Sequence, residues 1–141
     1  SVLTELTKLF SRDMVERKEG SILNVASTGG YHAGPYTAVY YATKAYVLSF
    51  SEAIAKELKP YNIAVTALCP GATKTNFAKM AGRRDNKAAM PAEKVAEAGY
   101  KALMKKKTVM VPGIANKLLV KIPRSVVKGF VGRYQRKLSG K

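Results

Sequence analysis

Residues 21–58 read SILNVASTGGYHAGPYTAVYYATKAYVLSFSEAIAKEL, and this stretch decides the fold. Its apolar run from Ile22 to Ala26 has the length and composition of a strand buried on both faces, with Gly20 closing the turn before it. Residues 27–35 are rich in Gly, Ser and Thr and read as a loop. A helix is predicted from about Tyr36 to Leu58, where Pro60, which has no N–H for the ladder, stops it. Tyr40 and Lys44 are four residues apart on that helix and so share a face, about 5 to 6 Å apart at Cβ. An ammonium beside a phenol favours the phenolate and makes the tyrosine a readier proton donor. Ser27, thirteen residues before Tyr40, leaves the end of the strand with a hydroxyl that can hold a carbonyl oxygen beside that acid. Only Tyr40 fits this role, because Tyr41, Tyr36 and Tyr31 find Ala45, Tyr40 and Pro35 four residues on.

The flanking sequence repeats the pattern. Leu3, Leu6, Leu9, Phe10 and Met14 recur at helical spacing over residues 2–17. Ile63 to Leu68 is a second buried strand, turned by Pro70 and Gly71. Residues 73–89 are polar and basic and read as irregular and mobile. A helix follows over Pro91 to Met104, with Pro in its first turn and Lys105, Lys106 and Lys107 at its C-terminal end, and Thr108 to Val111 forms a third strand. Helices alternating with strands predict parallel strands joined by crossover helices, the doubly wound α/β plan.

In this order and at these distances, Ser27, the YxxxK of Tyr40 and Lys44, and CPGATKT over residues 69–75 resemble the short-chain dehydrogenase/reductase family, over about residues 1–111. The resemblance implies a Rossmann-like sheet, of which three C-terminal strands are represented here. It implies an enzyme that interconverts a carbonyl and a secondary or primary alcohol with NAD or NADP. Ser27, Tyr40 and Lys44 are its implied catalytic residues. Tyr40, Lys44, Pro70, Gly71, Thr73 and Thr75 are its implied contacts to the cofactor, Lys44 through the nicotinamide ribose. The family's glycine-rich pyrophosphate turn, GxxxGxG, and its NNAG motif do not occur, so the sequence is expected to represent the C-terminal half of such a protein and to be inactive alone. The family further implies a homo-oligomer built on the first two helices.

Composition bounds the remainder. With 141 residues and 47% hydrophobic content, the chain can bury a core. One cysteine and one histidine, Cys69 and His32, cannot assemble a metal cluster or a thiol-imidazole pair. His32 is read as a loop residue, and Cys69 as a small filler at a strand end. A lone cysteine with no signal peptide or long apolar run fits a cytoplasmic setting.

The net charge of +16 is placed unevenly: residues 1–70 hold 7 Lys or Arg against 6 Asp or Glu, and residues 71–141 hold 18 against 3. This divides the chain into residues 1–112, the enzyme-like part, and a basic tail, 113–141. In the tail Ile114, Leu118, Ile122, Val126, Phe130, Tyr134 and Leu138 recur every four residues, supported by Leu119, Val127 and Val131, and Pro123 should break it into two amphipathic helices. Such a stripe packs on its own domain or on a second subunit, the favoured expectation, or lies peripherally on a membrane surface. A binding or assembly module on a degenerate half-fold is the alternative to an enzyme. Nucleic acid is a poor partner, because the chain shows neither a stacking platform nor a groove-reading motif.

Overall fold

The computed structural model describes residues 1–75 and 89–138. Helix α1 spans Val2–Arg17, and Ser1 caps it by accepting from the Thr4 amide at 3.5 Å. Lys18 then turns left-handed, and strand β1 runs over Gly20–Val25, two residues earlier than its apolar run suggests. Gly20 opens the strand, and the Met14 side chain lies where a Cβ on it would stand.

Strand β2, Ile63–Leu68, is buried at every position. It pairs in parallel with β1 from Gly20↔Ile63 to Val25↔Leu68. Its other edge carries the C-terminal strand Val109–Met110, also parallel, with Ala67 opposite Val109. A central strand with partners on both sides needs apolar residues on both faces, which explains the unbroken IAVTAL run. Strand β1 does not meet that expectation. It lies at the margin of the three-stranded order, only Asn24 is buried, and Val25 is 52% exposed.

Helix α2 covers Ala38–Leu58, starting after Tyr36, whose positive φ of 66° cannot belong to a helix. A short 3-10 turn, Lys59–Tyr61, ends it at Pro60 as expected. Helices α1 and α2 lie on one face of the sheet, where Asn24 Nδ2 donates to Ser51 Oγ at 2.9 Å and Thr4 shares a hydrogen bond with the Tyr46 hydroxyl. Helix α3, Ala92–Met104, lies on the other, with Gly99 against Leu68 and Leu23. Pro91 precedes α3 rather than standing in its first turn. The result is a Rossmann-like α/β layer, with a parallel sheet between helices.

Two features were not foreseen. Thr73–Lys74 (β3) and Met90–Pro91 (β4) form a small parallel ladder, so the ends of the segment read as irregular are paired; the expected mobility of residues 76–88 falls outside the described residues. With these two strands in place, Val109–Met110 is β5. The tail does break at Pro123, giving α4, Ile114–Leu119, and α5, Arg124–Leu138. Its four-residue stripe, however, faces away from the domain: Ile114, Leu118, Ile122, Val126, Phe130 and Tyr134 are 40–78% exposed. Val120 packs on the core of Ala26, Leu48, Ala67, Cys69 and Val111, and Val127 is buried. The expectation that the stripe packs on its own domain is therefore corrected. The positions that reach the domain are Val120 and Val127, which stand between the repeats on either side of Pro123. The side chain of Leu138 lies outside the described residues.

Candidate active site

The backbone ladder between β1 and β2 continues past both strands. Ala26 N–H donates to the Leu68 carbonyl at 2.8 Å and Thr28 N–H to the Pro70 carbonyl at 3.0 Å. This fixes Ser27 beside Pro70 at the carboxyl ends of two adjacent parallel strands, where open α/β sheets bind ligands. Ser27 is buried and extended, and its Oγ accepts from Gly29 N–H at 3.0 Å and donates to the Pro70 carbonyl at 3.4 Å. It thereby caps a 3-10 turn, Thr28–Tyr31, that carries the chain over to α2.

That turn lies directly on α2. A Cβ on Gly30 would stand 2.8 Å from the Lys44 carbonyl oxygen, so only glycine allows this approach. A Cβ on Gly29 would lie within 3.5 Å of three atoms at once: Ser27 Oγ, Tyr40 Cε1 and Tyr41 Cδ1. Ser27 Oγ and the edge of the Tyr40 ring, from a strand end and a helix, therefore both border Gly29.

Tyr40 is half exposed and sits in the first turn of α2, its ring edge-to-face with Tyr41 at 5.8 Å. Lys44 is on the same helix face, with Nζ 6.0 Å from the Tyr40 ring centroid. The ammonium donates to the Val25 carbonyl at 3.0 Å, which ties α2 to the end of β1 and holds the charge in place. Tyr41 behaves differently. Its ring fills the space beside Gly34, and burial first, then the Tyr40 neighbour, pushes its pKa up, so it stays a protonated packing residue.

Of the other predicted residues, Pro70 and Gly71 turn the chain just beyond β2, and Thr73 Oγ1 donates to the Gly71 carbonyl at 3.1 Å. Thr75 is exposed, and no described contact joins it to Ser27 or Tyr40. Sequence reasoning missed Asn116. It abuts Gly71 from α4, where its Nδ2 donates to the Pro112 carbonyl at 2.8 Å, so the start of the tail lies against the Pro70–Gly71 turn. The only sequence signal was a polar residue inside an otherwise apolar or basic pattern.

Cys69 and His32 are both buried. Burial pushes the Cys69 thiol up to about 11 and the adjoining Tyr31 phenol up to about 12, so both are neutral near pH 7 and Cys69 is a filler rather than a nucleophile. His32 is 4% exposed, and neither ring nitrogen has a hydrogen-bond partner among the described residues. Its pKa is lowered by burial, partly offset by the Leu119 backbone, with Arg124 adding to the lowering. A base whose folded pKa is depressed contributes stability that is complete above its unfolded pKa, about 6.5. Below that, the unfolded chain takes up a proton that the folded one refuses. The urea midpoint is therefore expected to fall as pH drops from 7.5 to 5.5, and His32→Leu to flatten this fall. Parallel slopes for the two proteins would refute it.

The fold and site together define a class: a Rossmann-like α/β layer with a serine, a tyrosine and a lysine gathered at the carboxyl ends of parallel strands. The profile of the short chain dehydrogenase family matches residues 2–88, and the chain belongs to that family. It is 40% identical over 75 residues to dehydrogenase/reductase SDR family member 4 of Sus scrofa, a match spanning 53% of this chain and 27% of the relative. Its identity to the very-long-chain 3-oxoacyl-CoA reductase of Bos taurus is 37% over 76 residues, spanning 54% of this chain and 24% of the relative. Among solved structures, a short-chain dehydrogenase from Sphingobium yanoikuyae in complex with NADPH superposes with a TM-score of 0.72 at 26% identity, over 97% of this chain and 52% of that one. A 7beta-hydroxysteroid dehydrogenase shares the fold with a TM-score of 0.81 at 21% identity, over 92% of this chain and 54% of that one. The chain thus spans about a quarter of these curated relatives and about half of these structures.

Proposed function

We propose that the chain supplies the proton-transfer half of a nicotinamide-dependent oxidoreductase that interconverts a carbonyl and a secondary or primary alcohol. The single observation that carries this reading is the convergence of Ser27 Oγ and the Tyr40 ring on Gly29, with Lys44 fixed on the same helix face. The NADPH complex of the Sphingobium yanoikuyae relative and the reductase names of the curated relatives support it. NAD and NADP are both compatible with the residues present.

The donor set suits a nicotinamide and its ribose. Lys44 uses one ammonium donor on Val25 and has others to offer, and Tyr40 carries an exposed phenol. Beyond β2, Pro70, Gly71, Thr73 and Thr75 offer backbone groups and hydroxyls at a strand end. These residues would hold the nicotinamide end. A bound nicotinamide supplies or accepts the hydride. Tyr40 gives its proton to the substrate oxygen in the reducing direction and takes it back in the other. Ser27 steadies that oxygen, since its 3.4 Å bond to Pro70 is long and its hydroxyl can rotate toward substrate at little cost. Lys44 holds positive charge near the phenol as the proton leaves. Copies assemble through α1 and α2, whose Leu9, Phe10 and Val39 are exposed apolar residues.

The 141 residues contain no glycine-rich pyrophosphate turn, so turnover needs a segment that supplies one. The chain alone is expected to show no NADH or NADPH oxidation with a panel of ketones and aldehydes. Joined to the glycine-rich half of a relative, it is expected to show it. Absence of activity in the joined protein, with the fold intact by circular dichroism, would overturn the reading.

A further inference from the structure

The tail holds a surface that the proposed reaction does not use. Residues 98–141 contain no Asp or Glu, and residues 114–138 carry seven Lys or Arg. On α5, Val127 is buried while Val126, Phe130 and Tyr134 are 62%, 73% and 55% exposed, so the helix is anchored on one side and presents an apolar strip on the other. Arg133 and Lys137 are exposed and fall, by helical spacing, on the face of Val126 and Phe130. Nothing lies within 4 Å of a Cβ built at Gly129, which leaves this side of the helix open. Ile114 and Leu118 continue the exposed apolar series on α4, at 78% and 62%.

We propose that this outward face docks on an anionic lipid membrane. Two chemistries are combined on one face, and a negatively charged bilayer satisfies both: Val126 and Phe130 enter the acyl boundary, Tyr134 sits at the interface, and Arg133 and Lys137 extend to the headgroups. A second copy fits less well, because a two-fold contact sets the same surface against itself and would oppose two faces that have no acidic residue. Nucleic acid would match the charge but leave the apolar strip in water. Helix α5 has 15 residues, short of the roughly 20 needed to cross a bilayer, and no helix among the described residues is long and apolar enough to do so. It lies along the surface instead.

The chain contains no tryptophan, so Phe130→Trp places a single reporter in the middle of the strip. With phosphatidylcholine vesicles containing phosphatidylserine, its emission is expected to shift to the blue. Pure phosphatidylcholine should give little shift. Binding is expected to weaken at least about tenfold between about 0.1 M and about 1 M salt, as the screening length falls from about 10 to about 3 Å. In the same background, Arg133→Glu with Lys137→Glu is expected to abolish the shift while leaving the far-ultraviolet spectrum and thermal melt unchanged. The proposal is overturned if emission is already blue-shifted in buffer and indifferent to lipid, which would mean protein covers the face. It is equally overturned if phosphatidylserine vesicles give no shift, or if duplex DNA or increased protein concentration reproduces it.

Discussion

Tyr40→Phe is expected to lower kcat by at least about 100-fold in a protein that joins this chain to a glycine-rich cofactor half. The substitution removes one hydroxyl and leaves the ring in place, so the edge contact to Tyr41 and the approach to Gly29 persist. Helix α2 should form as before, because Tyr40 is half exposed and contributes little to its packing. What disappears is the proton for the substrate oxygen. Cofactor affinity, read by titrating NADPH fluorescence, is expected to change much less than turnover. A variant that turns over near the normal rate would take the proton-donor role away from Tyr40.

Lys44→Ala is expected to reduce both turnover and cofactor affinity, with kcat/KM for the cofactor falling by about 100-fold or more. Two roles rest on one side chain. Its ammonium is the fixed charge beside Tyr40, and its bond to the Val25 carbonyl pins α2 to the end of β1. Removing it leaves that carbonyl without its donor and loosens the geometry that brings Tyr40 toward Ser27. Lys44→Arg keeps the charge but not the compact point donor, so it should recover affinity more than rate. If Lys44→Ala lowered stability alone, with turnover per folded molecule preserved, its assigned part in the chemistry would be lost.

The α/β class, the three parallel strands and the helices at residues 2–17, 38–58 and 92–104 were legible in the sequence because each is encoded locally. The apolar run over Ile63–Leu68 suits a strand covered on both faces, and Pro60 and Pro123 cannot stand in a helix interior. The placement of the candidate residues was legible too. A four-residue spacing places Tyr40 and Lys44 on one helix face, and a serine at the end of an apolar run falls at a strand's carboxyl edge, as Ser27 does. These are short-range consequences of covalent geometry.

What the sequence could not decide was which surfaces meet. The strand run in β1 resembles that of β2, yet among the described residues only β2 has neighbours on both edges, because strand order is a property of the assembled sheet. The sequence did not show that Asn116 would lie against Gly71, since the two, 45 positions apart, are brought together only by the fold. The four-residue stripe of the tail marked an amphipathic helix correctly but not the side it would turn to the domain. That depended on which positions met the domain, and it left Val127 inside with Val126 and Phe130 facing water. Periodicity specifies that a face is apolar; only tertiary contacts determine what covers it.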